Sequence, residues 1–276
     1  MAELAMNDVL DSVSQAGMTE GLGDLSRKFE KMLRRMDEMV YLQRLAMLEP
    51  GSVLRFLAPD GQPIALSLPD AQDDFVQRII LRSRNFYEAP LLSLIKDKGL
   101  VSAASCVCDI GANIGNHSVY FGRILGAARV MAFEPQAYVH ATLTRNIALN
   151  GLADRASAFN CMLGESAGNG RVARFSTRNL GATSFVADDS GDVPMCALDD
   201  VLPPEALDSL DLIKIDVEGM QDAVLRGAAG ILHARKPALW VEILERDQTG
   251  QDTIDYLAGF GYRPELLGPK DFLFRV

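Results

Sequence analysis

The fold is decided by a short stretch at residues 108–117, which reads CDIGANIGNH. An apolar strand ends there in Asp109, a glycine turn follows, and a helix is expected to start at Ile114. Strand, turn and helix in this order build parallel sheets with helices on both faces, and such sheets bind ligands where their strands end. The stretch therefore predicts an α/β fold with a ligand site at the carboxyl edge of a doubly wound sheet.

The positions of the glycines disfavour a nicotinamide dinucleotide as that ligand. The fingerprint G-x-G-x-x-G needs its second glycine where the pyrophosphate presses against the chain, and Asn113 holds that position. The pattern is instead D-x-G-x-x-x-G, and the carboxylate of Asp109 would repel a phosphate but attract an ammonium group. S-adenosylmethionine carries an ammonium group, so it is the predicted ligand.

A second carboxylate follows at the end of the next predicted strand. Glu134 stands 19 residues after Gly115, within Phe133-Glu134-Pro135. A carboxylate at this strand end can accept hydrogen bonds from both hydroxyl groups of a ribose. The two strand ends together indicate a site for a cofactor that contains a nucleoside.

Two later strand ends place more charged residues at the same edge. Residues 214–219 read KIDVEG after a strand, and Glu242 ends the strand after that. Alternation along a strand puts Lys214 and Asp216 on one side. Burying such a pair costs several kcal/mol unless each charge finds a partner, so a functional role is favoured over a purely structural one.

The chain from residue 105 onward alternates between strand and helix patterns. The expected strands are 105–110, 129–134, 156–163, 210–216, 238–244, 262–267 and 272–276, and the expected helices are 114–125, 136–150, 220–232 and 251–260. Residues 164–193 are rich in Gly, Asn, Ser and Thr and are too long for an ordinary connection, which predicts a loop that binds substrate.

The region before residue 71 has a different texture. Residues 1–24 are acidic and weakly periodic, which predicts a loosely ordered leader. Residues 25–70 predict an amphipathic helix and a hairpin around Asp60-Gly61. An apolar seam with heptad spacing runs along that helix at Leu22, Leu25, Phe29, Met32, Met36, Met39, Gln43 and Ala46. The seam predicts a homodimer, and six basic against three acidic residues between 25 and 48 leave peripheral membrane contact as an alternative.

Composition excludes several classes of partner and location. The chain holds 37 acidic and 27 basic residues and carries a net charge of −10, which disfavours nucleic acid. No apolar run has the length of a transmembrane helix. The four cysteines match neither a disulfide framework nor a zinc spacing, so a reducing cytoplasm is expected.

From about Phe86 to its end, the sequence resembles the FkbM family of S-adenosylmethionine-dependent methyltransferases. The resemblance rests on residues 109–117, 133–135, 179–184 (NLGATS), 214–219 and 241–242. It implies that residues 71–276 form the seven-stranded methyltransferase sheet with its last strand antiparallel. It also implies transfer of a methyl group to a hydroxyl of a sugar, a glycolipid, a polysaccharide or a polyketide.

The resemblance also implies roles for individual residues. Asp109, Gly111 and Gly115 would hold the methionine part, Glu134 the ribose, and Met162 the adenine, with Asp216 near the transferred methyl. The full set predicted to bind the cofactor is Asp109, Gly111, Ala112, Asn113, Gly115, Asn116, His117, Glu134, Pro135, Met162 and Asp216.

Methyl transfer to a hydroxyl needs a base, and Asp216 is the first choice. Glu218 and Glu242 are the alternates, because neighbouring acids raise the pKa of a carboxyl group, and Lys214 joins the predicted catalytic set as the charged neighbour of Asp216. The same acids could hold a divalent cation such as magnesium, but no metal site is predicted.

Two other functions stay open at this point. One is a non-catalytic scaffold that binds the cofactor and acts through its amino-terminal helix. The other is a nicotinamide-dependent reductase, which Asn113 and Asp109 oppose.

Overall fold

The computed structural model describes residues 2–47, 53–243 and 248–276. Its contacts divide the chain into two units, residues 1–48 and residues 49–276, each of which is compact. The expected helix end at residue 48 and the expected strand end at residue 244 lie outside the described residues.

The first unit is one helix, α1, at Ala2–Ala46. The prediction of a loosely ordered leader at residues 1–24 differs from this, since residues 2–24 are helical. The physical reason is that residues 2–16 contain neither Gly nor Pro and are rich in Ala, Leu, Met and Glu, which favour helix. The seam is exposed: Leu22, Leu25, Phe29, Met32, Met36 and Met39 all have large accessible fractions. No described helix combines the length and apolar character needed to cross a bilayer.

The second unit begins with the expected hairpin and two helices. β1 (Val53–Leu57) pairs antiparallel with β2 (Pro63–Ser67). Gly61 takes a positive φ of 83° in the turn, as the Asp-Gly pattern requires. Two helices follow, α2 (Phe75–Ser83) and α3 (Ala89–Asp97).

The first half of the main sheet follows the predicted alternation. Its elements are β3 (Cys106–Ile110), α4 (Asn116–Val119), β4 (Arg129–Phe133), α5 (Ala137–Leu149) and β5 (Ala156–Phe159). The helix expected at 114–125 becomes α4 and a π-helical turn at Tyr120–Ile124. Side chains of α5 hold the hairpin: Asn146 Oδ1 accepts from the Ser67 amide at 2.6 Å, and Asn150 Oδ1 from the Ala65 amide at 3.0 Å.

Residues 162–196 correct the prediction of a long loop. They form a four-stranded sheet of β6 (Met162–Leu163), β7 (Gly168–Arg174), β8 (Ser184–Ala187) and β9 (Val193–Cys196), in the order β6-β9-β7-β8. The expected strand at 156–163 is divided between β5 and β6. The strands lack apolar alternation, and their backbones pack closely: a Cβ on Gly170 would lie 2.9 Å from the backbone oxygen of Val186.

The carboxyl-terminal part completes the main sheet. It contains α6 (Leu198–Val201), α7 (Pro204–Leu207), β10 (Leu210–Ile215), α8 (Gln221–Arg226), α9 (Ala229–Ala234), β11 (Ala238–Glu242), α10 (Gln248–Gly259), β12 (Arg263–Leu266) and β13 (Asp271–Arg275). The helix expected at 220–232 is two short helices, α8 and α9, separated at Gly227 and Ala228.

The seven strands are ordered β12-β13-β11-β10-β3-β4-β5, and β13 runs opposite to the other six. This confirms the predicted α/β fold with a seven-stranded methyltransferase sheet. The parallel strands β3, β4, β10 and β11 all end at one edge, so the residues that follow them are brought together.

Candidate active site

A cleft of about 1000 Å³, including open solvent at its mouth, lies at that edge of the sheet. Eleven of the predicted site residues line it: Gly111, Ala112, Asn113, Asn116, His117, Glu134, Pro135, Met162, Asp216, Glu218 and Glu242. Asp109, Gly115 and Lys214 do not. Most of the side chains that were expected at these strand ends therefore line the same cleft.

The glycine turn is shaped by how closely β3 approaches β10. Gly111 has a φ of 77°, and a Cβ there would lie 1.8 Å from the backbone oxygen of Asp216. Gly115 has a φ of 85°, and its Cβ would lie 2.6 Å from Leu143 Cδ1. Only glycine fits both positions, because each combines a left-handed backbone with a neighbour in contact. Gly115 thus shapes the turn without lining the cleft.

Glu134 is a buried carboxylate at the floor of the cleft. Its Oε2 accepts from the Asn113 amide at 3.0 Å, and its Oε1 accepts from the Gln136 amide at 2.8 Å. Burial raises the pKa of Glu134 to about 7, although these two hydrogen bonds act in the opposite direction. Each carboxylate oxygen keeps lone pairs for further donors.

Asp109 and Lys214 lie behind the cleft and support it. The Asp109 side chain is fully buried, and its Oδ2 accepts a hydrogen bond of 2.6 Å from the Ser118 hydroxyl. Lys214 Nζ lies 3.7 Å from Asp109 Oδ1 and 3.2 Å from Asp216 Oδ2. Although burial lowers the pKa of Lys214, the carboxylates of Asp216 and Asp109 outweigh it and raise the pKa. The structure therefore does not bring the predicted Asp109 carboxylate into contact with the cleft.

Asp216 and Glu218 line the cleft in different electrostatic settings. Burial raises the pKa of Asp216, but the positive charge of Lys214 and the nearby His117 outweigh burial and leave the pKa low. Burial and the charge of Asp216 raise the pKa of Glu218. Glu242 forms an ion pair with Lys270, and both residues line the cleft. Of Asp216 and Glu218, Glu218 is the one whose pKa is shifted towards the protonated form.

Among the residues of the cleft that sequence reasoning missed are Tyr87 and Glu88. They precede α3, and Glu88 has a left-handed φ of 56°. His117 Nε2 lies 3.3 Å from Glu88 Oε2, at ion-pair distance but without the alignment of a hydrogen bond. The His117 ring is held edge-on against Trp240 at 5.3 Å. No local pattern marks Glu88, because its neighbours in the cleft come from distant parts of the chain.

Asn116, the first residue of α4, attaches the segment Tyr87-Glu88 to the rest of the site. Its Oδ1 accepts from the Tyr87 amide at 2.9 Å, and its Nδ2 donates to the Tyr87 carbonyl at 3.1 Å. The side-chain amide of Asn116, which was predicted to contact the cofactor, thus forms its hydrogen bonds with the backbone beside Glu88.

Residues 179–184 form the opposite rim. Asn179, Gly181 and Thr183 line the cleft, and a Cβ on Gly181 would lie 2.8 Å from Asn113 Nδ2. The Leu180 amide donates to Asp74 Oδ2 at 2.8 Å, and Gln136 Nε2 donates to the Leu180 carbonyl at 3.0 Å. The rim is therefore fixed to both α2 and the start of α5.

Metal binding finds no support in this arrangement. Within residues 2–47, 53–243 and 248–276, no group of three or more His, Cys, Asp or Glu side chains is placed to hold an ion.

Comparison with known proteins relates the chain to methyltransferases. The model of the methyltransferase FkbM domain matches residues 109–264. The methyltransferase sdnD of Sordaria araneosa is 32% identical over a segment that covers 44% of this chain and 59% of that protein. The crystal structure of methyltransferase FkbM from Methylobacillus flagellatus superposes with a TM-score of 0.51 at 22% identity, covering 68% of this chain and 48% of that one. The chain thus spans about three fifths of the curated relative's length and about half of the solved structure's.

Proposed function

The chain belongs to the FkbM methyltransferase family, and on that premise we propose that it methylates a hydroxyl group of a small molecule with S-adenosylmethionine as the donor. The observation that carries the proposal is one cleft whose lining residues fall into two chemically different groups, here called its two walls. One wall combines a glycine turn with the buried acceptor Glu134, and the other presents Glu88, His117, Asp216 and Glu218.

The first wall fits the methyl donor. Glu134 offers free lone pairs for the two ribose hydroxyls, and Phe133 and Met162 offer apolar surface for adenine. The backbone of residues 111–113 borders the cleft beside them, where the methionine part would lie. When bound, S-adenosylmethionine supplies an electrophilic methyl group on a positively charged sulfur.

The second wall fits a neutral acceptor that presents hydroxyl groups. Its carboxylates are hydrogen-bond acceptors, which suit hydroxyl donors and disfavour an acceptor that is itself anionic. Such an acceptor could be a sugar, a glycolipid, a polysaccharide or a polyketide. The protein's main task would be to align the hydroxyl oxygen with the methyl group.

Within this wall we assign the base to Glu218 rather than to Asp216. The ideal general base has a pKa near the working pH, and that of Glu218 is shifted upward. Asp216 is held by Lys214 with a low pKa, which makes it a weaker proton acceptor. Asp216 would instead accept a hydrogen bond that orients the acceptor.

The reaction itself is tested with S-adenosylmethionine that carries a deuterated methyl group. The full chain is incubated with an extract of small molecules and glycolipids, and mass spectrometry identifies whatever gains the label. We expect a labelled hydroxyl compound. Cofactor binding with no labelled product from any hydroxylated fraction would support the scaffold function instead.

The base is tested by Glu218→Gln, with Glu165→Gln as the control. Glu165 is an exposed glutamate that does not line the cleft. We expect Glu218→Gln to lower kcat by about 10² to 10⁴ with little change in cofactor affinity, because a general base contributes that much. A wild-type rate in Glu218→Gln would return the assignment to Asp216.

A further inference from the structure

A second cleft lies away from the active site, beside the amino-terminal hairpin. It measures about 810 Å³ with open solvent included, and it shares no lining residue with the first cleft. Its walls come from β1, β2, the end of α2, the π-helical turn and the end of α5. The lining residues are Arg55, Phe56, Leu57, Pro63, Ile64, Ala65, Arg84, Arg123, Leu149 and Asn150.

The cleft is strongly basic in an acidic protein. Arg55, Arg84 and Arg123 line it, no acidic residue does, and the whole chain carries a charge of −10. Across the described part of the chain, none of these three guanidinium groups forms an ion pair with a carboxylate. Three uncompensated arginines that share one concavity attract an anion.

Two of these arginines, Arg84 and Arg123, have an unusual local structure. Arg84 has a left-handed φ of 50°, and its Nη2 donates to the Arg55 carbonyl at 2.9 Å, which fixes the guanidinium at the cleft. Arg123 lies in the π-helical turn, and its Nε is buried without a hydrogen-bond partner among the described residues. π-helical turns are frequent at functional sites, and a buried donor without an acceptor calls for an explanation. An anionic oxygen that contacts the terminal nitrogens of the same guanidinium would compensate its charge.

The remaining walls are apolar. Leu57, which is 69% exposed, Pro63 and Leu149 present accessible apolar surface in the cleft, whereas Phe56 and Ile64 are almost fully buried behind it. A free inorganic anion would leave this surface in water. A ligand with an apolar chain would cover it.

We propose that this cleft binds a small molecule that carries a phosphate group on an apolar chain. The guanidinium groups of Arg84 and Arg123 donate to the phosphate oxygens, which the planar fork of arginine matches well. The chain lies along Leu57 and Pro63. A soluble alkyl phosphate and the head group of an anionic phospholipid share this chemistry.

Calorimetry on the full chain tests the proposal with hexyl phosphate as the probe, and with hexanol and inorganic phosphate as comparisons. We expect saturable binding of hexyl phosphate that is at least about tenfold tighter than that of either comparison, because each lacks half of the recognised chemistry. Absence of saturable binding, or equal binding of hexanol or of inorganic phosphate, overturns the proposal.

Arg84→Gly and Arg123→Gln supply the site-specific test. Glycine adopts a φ of 50° more readily than arginine, so Arg84→Gly removes the guanidinium while the thermal midpoint stays at or above that of the wild type. Both variants should bind hexyl phosphate at least about tenfold more weakly, since a charge-assisted hydrogen bond is lost. Arg263→Gln, an exposed arginine outside the cleft, is the matched control and should bind as the wild type does. Unchanged binding in Arg84→Gly and Arg123→Gln overturns the proposal.

Vesicles distinguish the two sources of the ligand. Sedimentation with phosphatidic acid vesicles that Arg84→Gly abolishes identifies a membrane phospholipid. Binding of hexyl phosphate without such sedimentation identifies a soluble phosphate. None of these measurements uses methyl transfer, so they are independent of the proposed function.

Discussion

Glu134 gives the site a pH dependence that a single side chain controls. Burial raises its pKa from an ordinary 4.5 to about 7, so the folded apoprotein holds a proton there between those values. In that window its contribution to the free energy of unfolding falls as the pH rises, because the unfolded chain binds fewer protons. Donors from a ribose favour the ionised form and would lower the pKa again.

We therefore predict that S-adenosylmethionine binding near pH 7 releases a proton. Calorimetry in two buffers with different ionisation enthalpies measures the number released. Glu134→Gln should abolish the release, and Glu134→Ala should weaken binding at least about tenfold, because hydrogen bonds to a charged acceptor are each worth about 1.5–3 kcal/mol. Proton release that persists in Glu134→Gln would show that another group titrates.

Two glycines with nearly equal φ angles allow the cost of a strained backbone to be measured separately from the cost of a steric clash. Gly111 and Gly126 have φ values of 77° and 74°, but a Cβ on Gly126 meets nothing within 4 Å. We predict that Gly126→Ala costs about 1 kcal/mol of unfolding free energy, the cost of the left-handed backbone alone. Gly111→Ala should cost more than about 2 kcal/mol and abolish cofactor binding, since its Cβ would collide with the Asp216 carbonyl. Urea unfolding of both variants decides this, and equal costs would contradict the close approach of the two strands.

At the scale of elements, the pairing of β3 with β10 depends on a buried charge pair. Lys214 lies opposite Asp109 in the register, and both side chains are almost inaccessible to solvent. We predict that Lys214→Met lowers the free energy of unfolding by about 3–5 kcal/mol, because it leaves the Asp109 carboxylate buried and uncompensated.

Adding Asp109→Asn to Lys214→Met should recover part of that loss. The second change removes the uncompensated charge while keeping a hydrogen-bonding side chain near Ser118. Urea unfolding of the two single variants and the double variant completes the cycle. Costs that simply add would show that the two side chains do not interact.

The sequence predicts elements well where apolar strands end in charged residues, as at Asp109, Glu134 and Asp216. It predicts helices and strands poorly where the hydropathy pattern gives no signal for them. β7 forms on glycine-rich sequence because the backbone of β8 lies close to Gly170, which local hydropathy does not report. The π-helical turn at Tyr120–Ile124 likewise has no local marker.

For the candidate site, the wall around Glu134 followed from the sequence because consecutive strand ends of a parallel sheet meet. The wall around Glu88 did not follow. Asn116 holds the backbone of Tyr87 from 29 positions away, and such a contact has no spacing rule. The predicted contact of Asp109 with the cofactor did not follow either, because the side chain of an acidic residue near a strand end can point into the protein interior as readily as towards the cleft.

At the scale of the whole molecule, α1 predicts self-association. Its apolar seam, from Leu22 to Met39, is exposed, and such a surface on a lone helix favours burial against a partner. We predict that the full chain is a dimer and that a protein starting at residue 53 is a monomer of unchanged fold. Light scattering compares their masses.

Equal association states for the two proteins would remove α1 from the interface. If the full chain instead sediments with anionic vesicles and the shortened one does not, the basic residues of α1 bind a membrane surface.

The position of Glu88 along the chain has a consequence for how this enzyme family can diversify. The shared segment that the family model matches begins at residue 109, whereas Tyr87 and Glu88 precede that match and border the same cleft as its glycine turn. One part of the wall that would select an acceptor is thus encoded upstream of the matched segment, while His117, Asp216 and Glu218 of the same wall lie within it. Mutation or recombination upstream of the shared segment can alter substrate choice while the methyl-donating apparatus is inherited intact.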